Sequence, residues 1–215
     1  MPDTLSITEI YKSVQGESSF AGLPCTFIRL AGCPLRCRWC DTVYSFKAGD
    51  QRLVDDIVTE VNHLGVEIVE VTGGEPMAQA KTPLLLQQLA VAGHKVLMET
   101  SGSESLESVP DSTHIIMDLK CPGSGMEDRN HWDNLKILKA TDEIKFVVAD
   151  RADFDWALTQ IDRYNLCDRF PVLMSPAFGQ LKPDQLVAWM LEYPLPYRLN
   201  LQIHKYIWSP RAKGV

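Results

Sequence analysis

Short apolar runs alternate with segments of helical spacing along this chain, and no other feature restricts its fold as much. Residues 5–11 and 25–30 read as strands, separated by the glycine-containing loop 15–22. In 54–64 the apolar residues Val54, Ile57, Val58, Val61 and Leu64 fall at helical spacing, and Gly65 stands where a C-cap belongs. Residues 66–72 form a short apolar strand that runs into Gly73 and Gly74. Thr82 and Pro83 open the next helix, Thr as N-cap and Pro as first helical residue, and Gly93 closes it. Further strands are expected at 95–99, 113–119, 143–148, 171–174 and 197–202, and further helices at 153–164 and 184–192. Alternation of this kind specifies an α/β class with a mostly parallel sheet. The βα units are too few for a complete eight-unit barrel, so a partial, open (β/α) barrel is expected, with some crossovers as loops.

The chain has 215 residues, 45% of them hydrophobic and 23% charged, which supports a real core in one domain. A single domain over 1–215 is expected, with a mobile tail at about 209–215. No apolar run is long enough to span a bilayer, so no membrane partner is expected. The net charge of −7 gives no global basic surface, so no nucleic-acid partner is expected either. Cysteines without a secretory signal fit a reducing compartment, and a cytoplasmic location is expected.

Cys33, Cys37 and Cys40 lie on one stretch directly behind the second strand. Three thiolates on one short loop make a soft, anionic trap for a metal or an iron–sulfur cluster. Four cysteines are the common closed set for structural zinc and for [4Fe–4S] clusters; a cubane held by three leaves one iron open. A zinc site would need a fourth ligand, and no Cys or His follows closely. Cys25, Cys121 and Cys167 stand alone and read as small buried hydrophobes.

Parallel α/β folds gather their ligands at the C-terminal ends of the strands. The cysteine loop, Gly73-Gly74-Glu75-Pro76, Glu99 with Ser101, Asp118 with Lys120, Ser175, and Gln202 with His204 and Lys205 all fall at such ends. Each has a plainer alternative. The glycines make a turn, Glu99 and Ser101 a cap or turn cluster, Asp118 and Lys120 a surface ion pair, and His204 a structural hydrogen bond. Asp118 and Lys120, two apart on a strand, share a face.

The Cys33, Cys37, Cys40 spacing resembles that of the radical S-adenosylmethionine (SAM) enzymes, which are built as partial, open barrels. Further stretches narrow the resemblance to the 7-carboxy-7-deazaguanine synthases of queuosine and 7-deazapurine biosynthesis. They are Tyr11 to Glu17 with Gln15-Gly16-Glu17, Phe27 to Cys33 with Arg29, Cys40-Asp41-Thr42, Thr72 to Pro76, Glu99 to Gly102, Asp118 to Lys120, and Leu201 to Tyr206. The resemblance spans nearly the whole chain, in the family's order.

The resemblance implies a carbon–nitrogen lyase that converts 6-carboxy-5,6,7,8-tetrahydropterin to 7-carboxy-7-deazaguanine with loss of ammonia. A 5′-deoxyadenosyl radical abstracts a hydrogen atom beside the substrate carboxylate and later returns it. The implied cofactors are a [4Fe–4S] cluster on Cys33, Cys37 and Cys40, SAM, and Mg2+ on the Thr42 hydroxyl with Asp41 behind it. SAM is expected at Gly73, Gly74, Glu75, Glu99, Ser101, Asp118, Lys120 and Ser175. The pterin is expected at Gln15, Gly16, Glu17, Arg29, Thr72, Gly74 and His204. Arg29 suits a carboxylate fork, and Gln15 and Glu17 suit pterin N–H donors. A homodimer and an external one-electron donor of flavodoxin or ferredoxin type are implied as well.

Two departures stand out. Residue 18 is Ser where the family motif has Gly, and the tail runs on through Trp208 to Val215. A glycyl-radical-enzyme activase shares the cysteine spacing, but the Gln15 and His204 segments speak against it. A non-enzymatic zinc or iron–sulfur module leaves the Gly-Gly-Glu-Pro loop without a purpose.

Overall fold

The computed structural model describes residues 2–210 and 212–215. Its frame is a sheet of nine strands in the order β3-β1-β2-β4-β5-β6-β7-β8-β9. The first strands are β1 (Thr4–Val14), β2 (Pro24–Leu30) and β3 (Asp50–Leu53), with β1 antiparallel to both neighbours. From β2 onward every pairing is parallel, through β4 (Ile68–Gly73), β5 (Lys95–Thr100), β6 (His114–Leu119), β7 (Glu143–Val148), β8 (Val172–Pro176) and β9 (Tyr197–Leu199). Among the described residues β3 and β9 are the two ends of the sheet and do not pair, so the expected open, mostly parallel architecture is present.

Strand periodicity gives the sheet two different faces. Val69, Val71, Met98, Met117, Ile144 and Phe146 pack outward in the main core, which α1 (Val54–Leu64), α2 (Thr82–Val91), α3 (Arg151–Tyr164), the short α4 (Leu166–Arg169) and α5 (Pro183–Glu192) complete. Fully burying one such side chain contributes about 1.5–3 kcal/mol, so this layer dominates the fold's stability. The inner face carries a smaller apolar cluster, Cys25, Phe27, Ile68, Leu97 and Ile116, at its base. Farther along, the same strands present Arg29, Glu70, Thr72, Glu99, Asp118 and Lys145 to the lumen.

Helix α1 has the expected limits, and Gly65 caps it at φ 69°, its N–H reaching the Asn62 carbonyl. The β5–β6 and β6–β7 connections contain only loops and short 3₁₀ turns, as expected from the low helix content. Three local expectations need correction, and one strand is added. Thr82 does not cap α2; it is the first helical residue, its hydroxyl donates to the Pro76 carbonyl, and Lys81 takes the cap position. Helix α3 begins before Asp153, because Asp150 caps it by accepting from the Asp153 N–H at 2.9 Å. The edge strand β3 pairs a polar stretch with β1 and carries no apolar alternation that would reveal it. Strand β9 stops at Leu199, so Gln202 and His204 do not end a strand. The chain leaves the sheet there, Ile203 N–H donates to Gly16 O at 2.9 Å, and His204 opens the short helix α6 (His204–Ile207).

Candidate functional site

A cavity of about 600 Å³ opens at the C-terminal ends of the parallel strands. Of the residues singled out from the sequence, Gln15, Gly16, Glu17, Arg29, Cys40, Thr42, Thr72, Gly73, Gly74, Glu99, Ser101, Asp118, Lys120, Ser175 and His204 line it. Cys33, Cys37 and Glu75 do not line it. The described tail residues 209–210 and 212–215 also line it, with the Lys213 ammonium 4.1 Å from the Tyr44 ring centre; Arg211 lies outside the described residues.

The cysteine loop leaves β2 and is pinned at both ends. Gly32 N–H donates to Ser45 O at 2.7 Å, and Arg38 N–H donates to Ser124 O at 3.1 Å. All three thiols are free and half-buried. Burial pushes each thiol's pKa up, and Lys120 works in the opposite direction. Among the described residues no three Cys, His, Asp or Glu side chains converge to hold a single metal ion. A cubane asks for something else, one thiolate at each of three corners, and three free thiols on one loop beside a cation suit that donor set.

The glycine loop after β4 packs directly on the cysteine loop. A Cβ on Gly74 would stand 2.0 Å from Gly32 O and 2.8 Å from Cys33 Cβ. Glu75 N–H donates to Gly32 O at 2.9 Å. The Glu75 carboxylate is fully buried and fully engaged. It accepts from Thr100 Oγ1 at 2.7 Å, Ser101 N–H at 2.8 Å, Met77 N–H at 3.0 Å and the Ser101 hydroxyl. Glu75 and Ser101 therefore shape the β4 and β5 loops, and the lining backbone of Gly73 and Gly74 is what the loop offers a ligand. Asp118 supplies the complementary sign of an incomplete site. Its Oδ2 pairs with Lys120 at 3.0 Å, while the buried Oδ1 has no partner among the described residues and can accept from a donor. These features fit SAM.

The opposite wall is built on Arg29 and Glu17. Arg29 donates to Glu9 at 2.8 Å and to the Tyr11 hydroxyl at 2.9 Å, which fixes its plane and leaves further N–H donors for a ligand. The Tyr44 hydroxyl braces Glu9 at 2.7 Å. Gln15 is 3% exposed; its amide donates to Glu70 and accepts from the Glu17 N–H, which leaves its second N–H for the cavity it lines. Its side chain thus sets Glu17 from the cavity wall. Glu17 accepts from Gln202 at 2.8 Å and from Lys145 at 3.0 Å. Burial opposes its charge, yet Lys145 and Gln202 outweigh burial and hold its pKa low. Ser18 takes φ 61°, the left-handed region that glycine enters at least cost, and its hydroxyl accepts from Phe20 N–H at 3.1 Å. Gly16 is needed where it is, since a Cβ there would lie 2.0 Å from His204 Nδ1.

Thr42 donates to Asp41 at 2.8 Å at the rim, and Lys205 holds Asp41 at 2.6 Å. Partial desolvation opposes its charge, yet Lys205 holds Asp41 well below the usual carboxylate range.

Lys145 and Glu70 escaped the sequence reading. Lys145, 5% exposed, reaches Glu17, Glu99 and Asp118 from the middle of β7. Glu70 lies beneath Gln15, and burial together with the nearby Glu99 pushes its pKa up to about 8. The available signal was a charged residue at a lumen-facing alternation in an otherwise apolar parallel strand, a costly placement that marks a site.

Residues 27–114 match the family model of the radical SAM superfamily. The 7-carboxy-7-deazaguanine synthase of Koribacter versatilis is 43% identical, over 98% of this chain and 100% of its own length. The enzyme of the same name from Chlorobaculum tepidum is 44% identical, over 98% of this chain and 97% of its own. The crystal structure of QueE from Escherichia coli superposes with a TM-score of 0.75 at 23% identity, covering 92% of this chain and 93% of that one, a likeness of fold.

Proposed function

The chain belongs to the family of 7-carboxy-7-deazaguanine synthases, radical SAM enzymes, and from that premise we propose how its cavity turns 6-carboxy-5,6,7,8-tetrahydropterin into 7-carboxy-7-deazaguanine and ammonia. Bound together, a [4Fe–4S] cluster on Cys33, Cys37 and Cys40 and SAM supply hydrogen-atom abstraction. The protein's task is to hold and orient. The Gly73-Gly74 backbone receives the SAM ammonium, and Asp118 Oδ1 takes one of its donors. Glu99, Lys120 and Ser175 complete that side.

Arg29 pairs with the pterin carboxylate, as a fork that lysine cannot match. Glu17, kept ionised, accepts from the guanidine-like edge of the pterin. Gly16, Thr72 and His204 close the walls around the ring. Thr42 would hold Mg2+ at the rim through its hydroxyl oxygen, with Asp41 behind it, and the ion would there offset the charge of the substrate carboxylate. The tail residues beside Tyr44 help exclude water. A homodimer, an external one-electron donor and a cytoplasmic setting belong to the same reading; no described helix is long and apolar enough to cross a membrane. The full-length relatives favour neither an activase nor a non-enzymatic metal module.

One observation carries this reading: the cysteine loop, the glycine loop, and the Arg29 and Glu17 wall open onto one cavity. Two variants test it. Cys37→Ala should lose the cluster absorbance and all SAM cleavage. Arg29→Ala should keep the cluster and bind SAM, but raise KM for the pterin at least about tenfold, the worth of a charge-assisted hydrogen bond. An Arg29→Ala enzyme with unchanged pterin KM would contradict the assignment of that wall.

A further inference from the structure

The lumen holds more acid than base at its centre, and one side chain balances it. Lys145 Nζ lies 3.0 Å from Glu17 Oε2 and 3.7 Å from Asp118 Oδ2, and it bonds Glu99 as well. These partners come from three separate elements: the loop after β1, the end of β5 and the end of β6. On the assignments above, Glu17 faces the pterin, and Glu99 and Asp118 face SAM. The ammonium therefore sits at the boundary between the two halves of the cavity. We propose that Lys145 is a positioning residue that sets both halves at once, locking the pterin-facing Glu17 to the SAM-facing Glu99 and Asp118 through a single cation.

The chemistry requires such a device. Ionised carboxylates gathered in a lumen repel one another and are costly to desolvate. Without a cation they would protonate or splay apart, and either change spoils an acceptor. An ammonium on a flexible stem is a point charge that three oxygens can share, whereas a planar guanidinium has a fixed fork. The other charged groups facing this cluster are Glu70 from β4, Lys120 from the loop just after β6 and His204 from α6. Lys120 is committed to Asp118, and desolvation lowers the pKa of His204. Neither replaces Lys145.

The proposal rests on the assignment of the two walls, and its test separates the two. Lys145→Gln and Lys145→Arg are reconstituted anaerobically beside wild type, and SAM Kd, pterin KM and the pH profile of kcat/KM are measured. Lys145→Gln should weaken SAM and pterin together, each at least about tenfold. Its acid limb should move up by about one pH unit, because Glu17 without its cation is protonated at higher pH. A purely structural lysine would lower activity without moving the limb, and that result would overturn the proposal. Lys145→Arg keeps the charge and covers the case of a Gln variant that does not fold. It should keep the wild-type limb and raise both ligand constants. A Lys145→Arg enzyme that moves only one constant, or neither, would also overturn it. Wild type that forms no product would overturn the wall assignments themselves, and the proposal with them.

Discussion

Gly74 shows how a single hydrogen atom in place of a methyl can decide the site. The close approach of Gly74 to Gly32 O and Cys33 is what brings the glycine loop onto the cysteine loop. Gly74→Ala must push those loops apart, so iron content after reconstitution should fall and SAM Kd should rise at least about tenfold, the scale of one lost charge-assisted contact. Wild-type iron content and SAM affinity in that variant would refute the packing argument. At this scale the convergence of Cys40, Gly74, Arg29 and Glu17 on one cavity was legible through the motifs that carry them and the resemblance those motifs bear. Lys145 and Glu70 were not. A lysine between Ile144 and Phe146 reads as a surface residue until the sheet shows that Glu143, Lys145 and Val147 face inward. Glu75 was legible as important, but its carboxylate is engaged by other protein groups, which no spacing reveals.

At the scale of elements, the ends of β4 and β5 are joined by one carboxylate. Glu75→Ala would strand the Thr100 and Ser101 hydroxyls and the Ser101 and Met77 N–H groups in a buried place. Denaturant unfolding should show a loss of about 3 kcal/mol, and a loss below about 1 kcal/mol would mean that the loops find other partners. A second joint lies between α6 and the loop after β1. Gly16→Ala would drive a methyl into His204, so it should raise pterin KM while leaving SAM Kd and iron content unchanged. Unequal legibility among the elements has a physical cause. α1 has both the apolar spacing and the glycine cap, and its limits were read correctly. The start of α2 was misread because the Thr82 hydroxyl turns to the Pro76 carbonyl rather than to its own helix. α6 was missed because four residues held by a tertiary contact to Gly16 carry no periodicity of their own.

For the whole molecule, an open sheet with an apolar outer face and a polar lumen stores part of its stability as a function of pH. Glu70 has an ordinary pKa of 4.5 and one of about 8 in the fold. A raised carboxyl pKa favours the fold at low pH, and that advantage is lost as pH climbs from about 4.5 towards about 8. Glu70→Gln keeps an acceptor for Gln15 and cannot ionise, so its Tm relative to wild type should rise between pH 5 and pH 9. A difference independent of pH would contradict the buried carboxyl. The overall architecture was legible because strand and helix alternate and the active groups sit at strand ends, which puts them at one mouth. The extra strand at the edge and the tail against the cavity were not, since both depend on contacts distant in sequence. The central claim is that this mouth performs the ring contraction, and anaerobic turnover tests it most directly. Protein with its cluster reconstituted is given reductant, SAM, Mg2+ and 6-carboxy-5,6,7,8-tetrahydropterin, and the products are read by mass spectrometry. The account predicts 7-carboxy-7-deazaguanine, absent when Cys37→Ala replaces wild type; release of 5′-deoxyadenosine with the pterin left intact would contradict it.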